Sequence, residues 1–249
     1  MAFTSFLNIL PDPNNPIGEG GEALATGSGG VLGPGFKSVK VSSSAPIQVS
    51  RTNSGRIITR SIAGHKWNIN ITYNPMTRDQ FEPVFNFLLE KNGRLNPFYV
   101  QIPNQYTSRT SAFATRVETS SNAPTTATTL NQGAKFMLQQ NYTTDQAVTP
   151  KTGDMFTITD TDDSLHTKAY RVTRVMTNAD HHSGLHSAPD TDQRLIYFTP
   201  NLQRPVGTGM KIIYHQPKFR VILNKDIQEY SLGTNNLYTF GLQLEEAQA

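Results

Sequence analysis

The chain has 249 residues, of which 16% are charged and 36% hydrophobic, with 22 Lys and Arg against 19 Asp and Glu for a net charge of +3. So few charges, together with 29 Thr, 18 Gly and 15 Pro, exclude a coiled coil or a Leu/Ala/Glu helical bundle and point to a mainly β fold. Cysteine is absent, which excludes disulfide scaffolds, thiol catalysis and Cys-ligated metal centres.

Residues 1–36 read as a Gly/Pro-rich N-terminal arm. Pro11, Pro13, Pro16 and the glycines from Gly18 to Gly35 disfavour both helix and interior strand. Phe3, Phe6, Leu7, Ile9, Leu10, Val31 and Leu32 are apolar side chains that such an arm cannot bury by itself, so they are expected to seek a neighbouring subunit. Strands follow at 38–42, 47–52 and 56–60, with Asn53-Ser54-Gly55 as turn chemistry. From Trp67 to Tyr73 the alternation is clean: Trp67, Ile69, Ile71 and Tyr73 share one face, and Asn68, Asn70 and Thr72 the other.

Thr77-Arg78-Asp79-Gln80 has the form of a capping box. Behind it, Phe81, Val84, Phe85 and Leu88 make the apolar stripe of a short helix, and Lys91-Asn92-Gly93 is a stop signal. Pro83 lies past the first turn and cannot donate a backbone hydrogen bond, so a late start or a distorted first turn is expected. A strand at 94–103, carrying Phe98, leaves the helix, and a domain boundary is placed near residue 103.

Residues 104–134 are Ser/Thr/Asn/Ala-rich, with a loop at 120–124. Short strands at 128–130, 135–138, 155–159, 168–175, 194–199 and 210–215, separated by turns, read as a small β-barrel or sandwich. Two closing strands, 219–223 and 237–244, carry Tyr238, Phe240, Leu242 and Leu244 in alternation and match the 67–73 strand. They are expected to return to the first sheet. The organisation is then a first β-sandwich domain of 37–103 and 216–249, with an inserted barrel-like domain at 104–215.

Chemistry is sparsely signalled. His181, His182 and His186 lie near Asp180, Asp190 and Asp192, but Gly184 breaks the helix that metal ligands at this spacing need. Asp160, Asp162 and Asp163 lack the glycine and glutamate of a calcium loop, so they read as a hairpin turn. Gly27, Gly29 and Gly30 lack the Lys-Ser/Thr of a phosphate loop, and no Gly-x-Ser-x-Gly occurs. No catalytic residue, cofactor or metal is therefore expected. Lys and Arg are scattered, Lys218-Phe219-Arg220 being the longest grouping, so no sequence-specific nucleic-acid partner is expected. Residues 1–10 lack the basic start and apolar run of a secretion signal, and no stretch nears the ~20 apolar residues of a membrane span.

The run from Gly64 through Trp67, Tyr73 and Thr77 to Phe81 and Phe85-Asn86-Phe87-Leu88, then Gly93-Arg94 and Pro97–Pro103, resembles distal tail proteins of long-tailed bacteriophages, including the lambda-like minor tail protein. Leu237–Glu246 is similar to that family's last strand, which ends in an acidic residue. The resemblance implies a virion protein made in the host cytoplasm. It would form a homo-oligomeric ring, hexameric in the family, joining the tail tube protein to the hub and tape-measure-associated proteins. Its ring-domain core would be Trp67, Ile69, Ile71, Phe81, Phe85, Leu88, Phe98, Tyr238 and Phe240, with Phe3, Phe6, Leu7, Val31 and Leu32 at the assembly interface. The alternative is a carbohydrate- or receptor-binding tail module, with Tyr142, Tyr170 or Tyr197 as an exposed platform in the inserted domain.

Overall fold

The computed structural model describes residues 8–17, 31–61, 64–105, 107–142, 148–161, 163–180, 189–226 and 228–247. Phe3, Phe6, Leu7 and the His181–His186 loop lie outside the described residues, and of Val31 and Leu32 only the backbone is described. In chain order the elements are β1 (Pro16–Ile17), β2 (Val31–Leu32), β3 (Phe36–Ser44), β4 (Ile47–Arg51), β5 (Ile57–Ser61), β6 (Lys66–Tyr73), α1 (Arg78–Glu90) and β7 (Phe98–Gln101). There follow α2 (Ser111–Glu118), β8 (Thr125–Thr126), β9 (Phe136–Gln140), β10 (Met155–Thr159), β11 (Ala169–Met176), β12 (Arg194–Thr199), β13 (Lys211–Ile213), β14 (Lys218–Leu223), β15 (Tyr230–Leu232) and β16 (Tyr238–Glu246). Strand makes up 41% and helix 12%, so the fold is mainly β, with one half-barrel sheet and one closed barrel. The chain forms two compact units, one of residues 1–100 and 220–247, the other of residues 101–219 with 248–249.

In the first unit the sheet order is β3-β6-β16-β14-β7, with β15 paired to the far end of β16. β6 lies between β3 and β16, and its alternation gives it one buried face: Trp67, Ile69, Ile71 and Tyr73 are buried, while Asn70 and Thr72 are exposed. β16 pairs antiparallel with it, Leu242 against Ile71 and Leu244 against Ile69. The Trp67 N–H donates to the buried Glu246 carboxylate at 3.0 Å, and Lys66 pairs with Glu245.

α1 covers the buried face. Thr77 is its N-cap, and the Gln80 side chain accepts from the Thr77 N–H at 3.4 Å, the return bond of the capping box. Pro83 lies inside the helix without delaying its start. Instead the first turn tightens, since Gln80 N–H and Phe81 N–H both donate to the Thr77 carbonyl, at 3.2 and 3.0 Å. Phe81, Val84, Phe87 and Leu88 are buried. Phe85 is not the core residue the stripe predicts. It is half-buried, 5.1 Å from Phe81 and 5.2 Å from Tyr230, because the sheet's centre lies under the Phe81–Val84–Leu88 line and Phe87 fills the other flank against Phe98 at 5.4 Å. Tyr238 is also half-buried, stacked on Phe81 at 4.4 Å, whereas Phe98 and Phe240 are buried as expected. The helix stops where Asn92 and Gly93 take positive φ of 52° and 65°.

Ile9 and Leu10, expected to seek a neighbour, are buried in their own chain, at 3% and 0% exposed. Leu10 N–H donates to the Tyr99 carbonyl and Tyr99 N–H to the Asn8 carbonyl, so this segment adds a parallel edge beside β7. Asp12 accepts from Asn14 N–H and Asn15 N–H at 2.8 and 3.0 Å, an Asx turn that reverses the chain. Gly33 crosses this turn so closely that a Cβ would lie 2.6 Å from the Asp12 backbone nitrogen and oxygen.

In the second unit the closed barrel order is β10-β11-β12-β9-β8-β13. Met137, Phe156, Ile158, Tyr170, Val172, Ile196, Phe198 and Ile212 fill it. The Ser/Thr/Asn/Ala-rich stretch, in which the sequence reading placed no helix, contains α2, whose Phe113 and Val117, four residues apart on one face, enter the same core. Leu130, read as strand, makes an isolated bridge to Val206.

Two stability outcomes follow from these contacts. Phe81→Ala costs about 3–5 kcal/mol by chemical denaturation and Phe85→Ala clearly less, the cavity being partly open to water; the reverse ranking would refute this packing. Gly33→Ala destabilises by more than about 1 kcal/mol, since the Asp12 backbone has to move; an unchanged denaturation midpoint would contradict the close crossing.

Candidate assembly surface

β3 and β6 pair from Phe36/Tyr73 to Ser44/Lys66, and beyond that end the chain continues as a separate hairpin of β4 and β5. Thr52–Arg56 closes its tip, with Thr52 N–H donating to the Arg56 carbonyl and Gly55 N–H to the Thr52 carbonyl. The cross-strand register places Ile47, Val49, Arg51, Ile57 and Thr59 on one face and Gln48, Ser50, Ile58 and Arg60 on the other. Three of the five on the first face are apolar, and among the described residues nothing covers them: Ile47 and Val49 are 59% exposed and Ile57 is 56% exposed. An isolated two-stranded hairpin is marginal in water. Apart from the half-buried Thr52 in its tip, every described side chain of this one is exposed, so the described residues offer its apolar face no burial.

A second uncovered apolar group lies at the opposite end of the same sheet. β15 pairs with the start of β16, Tyr230 against Phe240 and Leu232 against Tyr238. Tyr230 is 50% and Leu232 54% exposed. β16 runs from here towards Glu245, which lies across from Asn68 at the hairpin end, so the two patches mark opposite ends of the unit. Between them the outer sheet face is polar, and Asn70, Thr72, Gln243, Arg94 and Asp226 line an open groove of about 670 Å³.

The aromatic platform expected on the barrel is not formed. Tyr170 is fully buried and Tyr142 is 5% exposed. Tyr142 and Tyr214 both donate to the Gln139 side-chain oxygen, at 2.5 and 3.1 Å, inside the barrel. Burial drives both phenols well above their ordinary pKa. Tyr197 is half-buried, with the Arg174 guanidinium 5.4 Å from its ring and Phe136 5.6 Å away. Their alternation gave no warning, because a tyrosine on the inner face of a barrel looks in sequence like one on the outer face.

The acidic turn at 160–166 holds a buried histidine. His166 hydrogen-bonds the Tyr170 hydroxyl at 2.9 Å, Asp163 pairs with Arg204, and Asp160 accepts from Asp163 N–H at 3.3 Å. Burial lowers the His166 pKa, against the opposing pull of Asp160 and Asp163. Among the described residues no three His, Asp or Glu side chains form a group that could hold a metal, and no helix is long and apolar enough to cross a membrane. Compared with protein-family models and with curated proteins, the chain finds no match.

His166 makes a pH test of the barrel. Its folded pKa lies below the unfolded value near 6.5, so the unfolded state binds the proton more readily. Its stabilising contribution is complete above that value and declines as pH falls towards the folded pKa. The urea midpoint should drop between about pH 7.5 and about pH 5, and His166→Gln should reduce that drop. An identical pH slope in the variant would show that His166 is not the titrating group.

Proposed function

We propose that this protein is a non-enzymatic structural subunit that assembles with copies of itself into a ring. In this reading it is a phage distal tail protein, joining the tail tube to the tip or baseplate hub within the virion tail. The observation that carries the reading is the bare hairpin: Ile47, Val49 and Ile57 form an apolar face with no cover among the described residues. Apolar area removed from water is worth about 25 cal/mol per Å², so a neighbour that covers this face stabilises both the contact and the hairpin. Tyr230 and Leu232 at the other end of the sheet supply a different patch. Two unlike patches at opposite ends favour a head-to-tail contact, which closes into a ring when the rotation per subunit permits.

The resemblance of 64–103 and 237–246 to distal tail proteins supplies the tail setting and six-fold count. The glycan-platform alternative loses its support, since Tyr142 and Tyr170 are interior.

The test is solution mass as concentration rises, by native mass spectrometry and light scattering, followed by negative-stain images. The expected species is a closed multiple of the 27.6 kDa chain, six by the resemblance. The triple variant Ile47→Thr, Val49→Thr and Ile57→Thr keeps strand propensity but removes the apolar face. It should stay monomeric, with thermal unfolding shifted by no more than the ~0.5 kcal/mol of ordinary surface changes. A monomeric parent chain, or a variant that assembles equally well, would count against the proposal.

A further inference from the structure

We propose that the outer face of the barrel carries an oxyanion site, formed by Arg109, Lys151, Arg171 and Arg174, that takes the phosphate or sulfate groups of an anionic glycan. These cations are scattered in sequence, and three devices of the fold gather them. The first is a β-bulge. The β11–β12 register shifts between Val172 and Arg174. Residues 171 and 174 would otherwise point to opposite sides of the strand, but the extra residue turns both arginines outwards while Val172 faces the core. The second is Asp154. Its buried carboxylate accepts from the Ser108 hydroxyl, from Arg109 N–H at 3.1 Å and from Lys151 N–H at 2.9 Å, which joins the segment before α2 to the turn before β10. The third is Gly153, whose φ is +101°. A Cβ there would lie 3.6 Å from the Arg171 guanidinium and 3.9 Å from that of Arg109, so both cations converge on this turn.

None of the four forms an ion pair among the described residues; the Arg109 guanidinium donates to the Thr152 carbonyl at 3.0 Å, and that of Arg174 lies over Tyr197. The oxygens of Asp154 are occupied as above. Asp180, which lines the same groove as Lys151 and Arg174, accepts from the Thr177 hydroxyl at 2.7 Å. Like charges held together repel, and a bound anion relieves that repulsion.

Two adjoining grooves flank Lys151 and Thr152. One, of about 560 Å³, is lined by Arg109, Thr110 and Ser111. The other, of about 350 Å³, is lined by Thr149, Thr173, Arg174 and Thr177. Cations amid hydroxyl-bearing side chains suit a sugar polymer bearing discrete oxyanions, since hydroxyls exchange hydrogen bonds with sugar hydroxyls and guanidinium pairs with phosphate or sulfate. A single-stranded nucleic acid fits less well: it needs aromatic faces for its bases, and the Tyr197 ring already has Arg174 over it.

The 249-residue chain is titrated calorimetrically with inorganic phosphate, inorganic sulfate, a sulfated heparin-derived tetrasaccharide, its desulfated counterpart and a short single-stranded DNA. The sulfated sugar should bind with salt-sensitive affinity, the two inorganic ions more weakly, and the desulfated sugar not detectably. Lys151→Gln with Arg171→Gln should weaken binding at least about tenfold, the loss of two charge-assisted contacts. Lys211→Gln, at an exposed position of β13 in the same barrel, should leave it unchanged. If the double variant melts early, Arg174→Gln alone should still weaken binding. Failure of the parent chain to bind the sulfated sugar, undiminished binding by the double variant and by Arg174→Gln, or DNA binding as tight as that of the sulfated sugar, would each overturn the site.

Discussion

Phe81 lies nearly flat on Tyr238, 4.4 Å between centroids, and touches Phe240 edge-on at 5.9 Å. The first unit depends on this contact. Its sheet buries only one face, and α1 is the element laid across it. Apolar burial has no direction of its own; ring packing supplies one, because offset stacks and edge-on contacts fix where each ring sits. Phe85 and Tyr230 extend the cluster towards the surface, and Phe87 on Phe98 anchors the other flank. With the helix held, β6 and β16 have a partner for their buried face and the polar face is left to water.

Much of this architecture was legible in the sequence. The capping box at Thr77, the alternation of 67–73 and its match at 238–244 located the helix, β6 and its returning partner. The errors have definite causes. A helical stripe is wider than its i, i+3, i+4 skeleton, so Phe87 could displace Phe85 from the core. α2 escaped notice because only Phe113 and Val117 carry its apolar face, within residues that favour turns. Val175, off the strict alternation of 170 and 172, still packs against the barrel core, because the bulge restores its side.

The surfaces were harder to read than the elements. Ile47, Val49 and Ile57 have the composition of a core strand, and nothing local distinguishes a strand that is covered by its own chain from one that is not. Arg109, Lys151, Arg171 and Arg174 looked dispersed, since their proximity arises from the Asp154 contacts and a bulge rather than from spacing. The hairpin residues and Arg171 and Arg174 lie on strands, and Arg109 and Lys151 lie in segments that the Asp154 hydrogen bonds join, which positions the presented side chains before any partner arrives. In the proposed ring the hairpin and β15 would serve the subunit's neighbours, and the barrel face would remain free for a separate task.

The pairing of β6 with β16 also has a temporal side. Residues 68–72 meet residues 241–245 across the whole second unit. On the ribosome, every strand of the barrel is made before β14 and β16. Domains fold as units during synthesis, so the barrel closes while β6 still has one bare edge. The sheet is completed only when the returning strand slots between β6 and β14. A chain released before that point carries a finished barrel but no finished sheet, and so has no platform from which the hairpin can be presented.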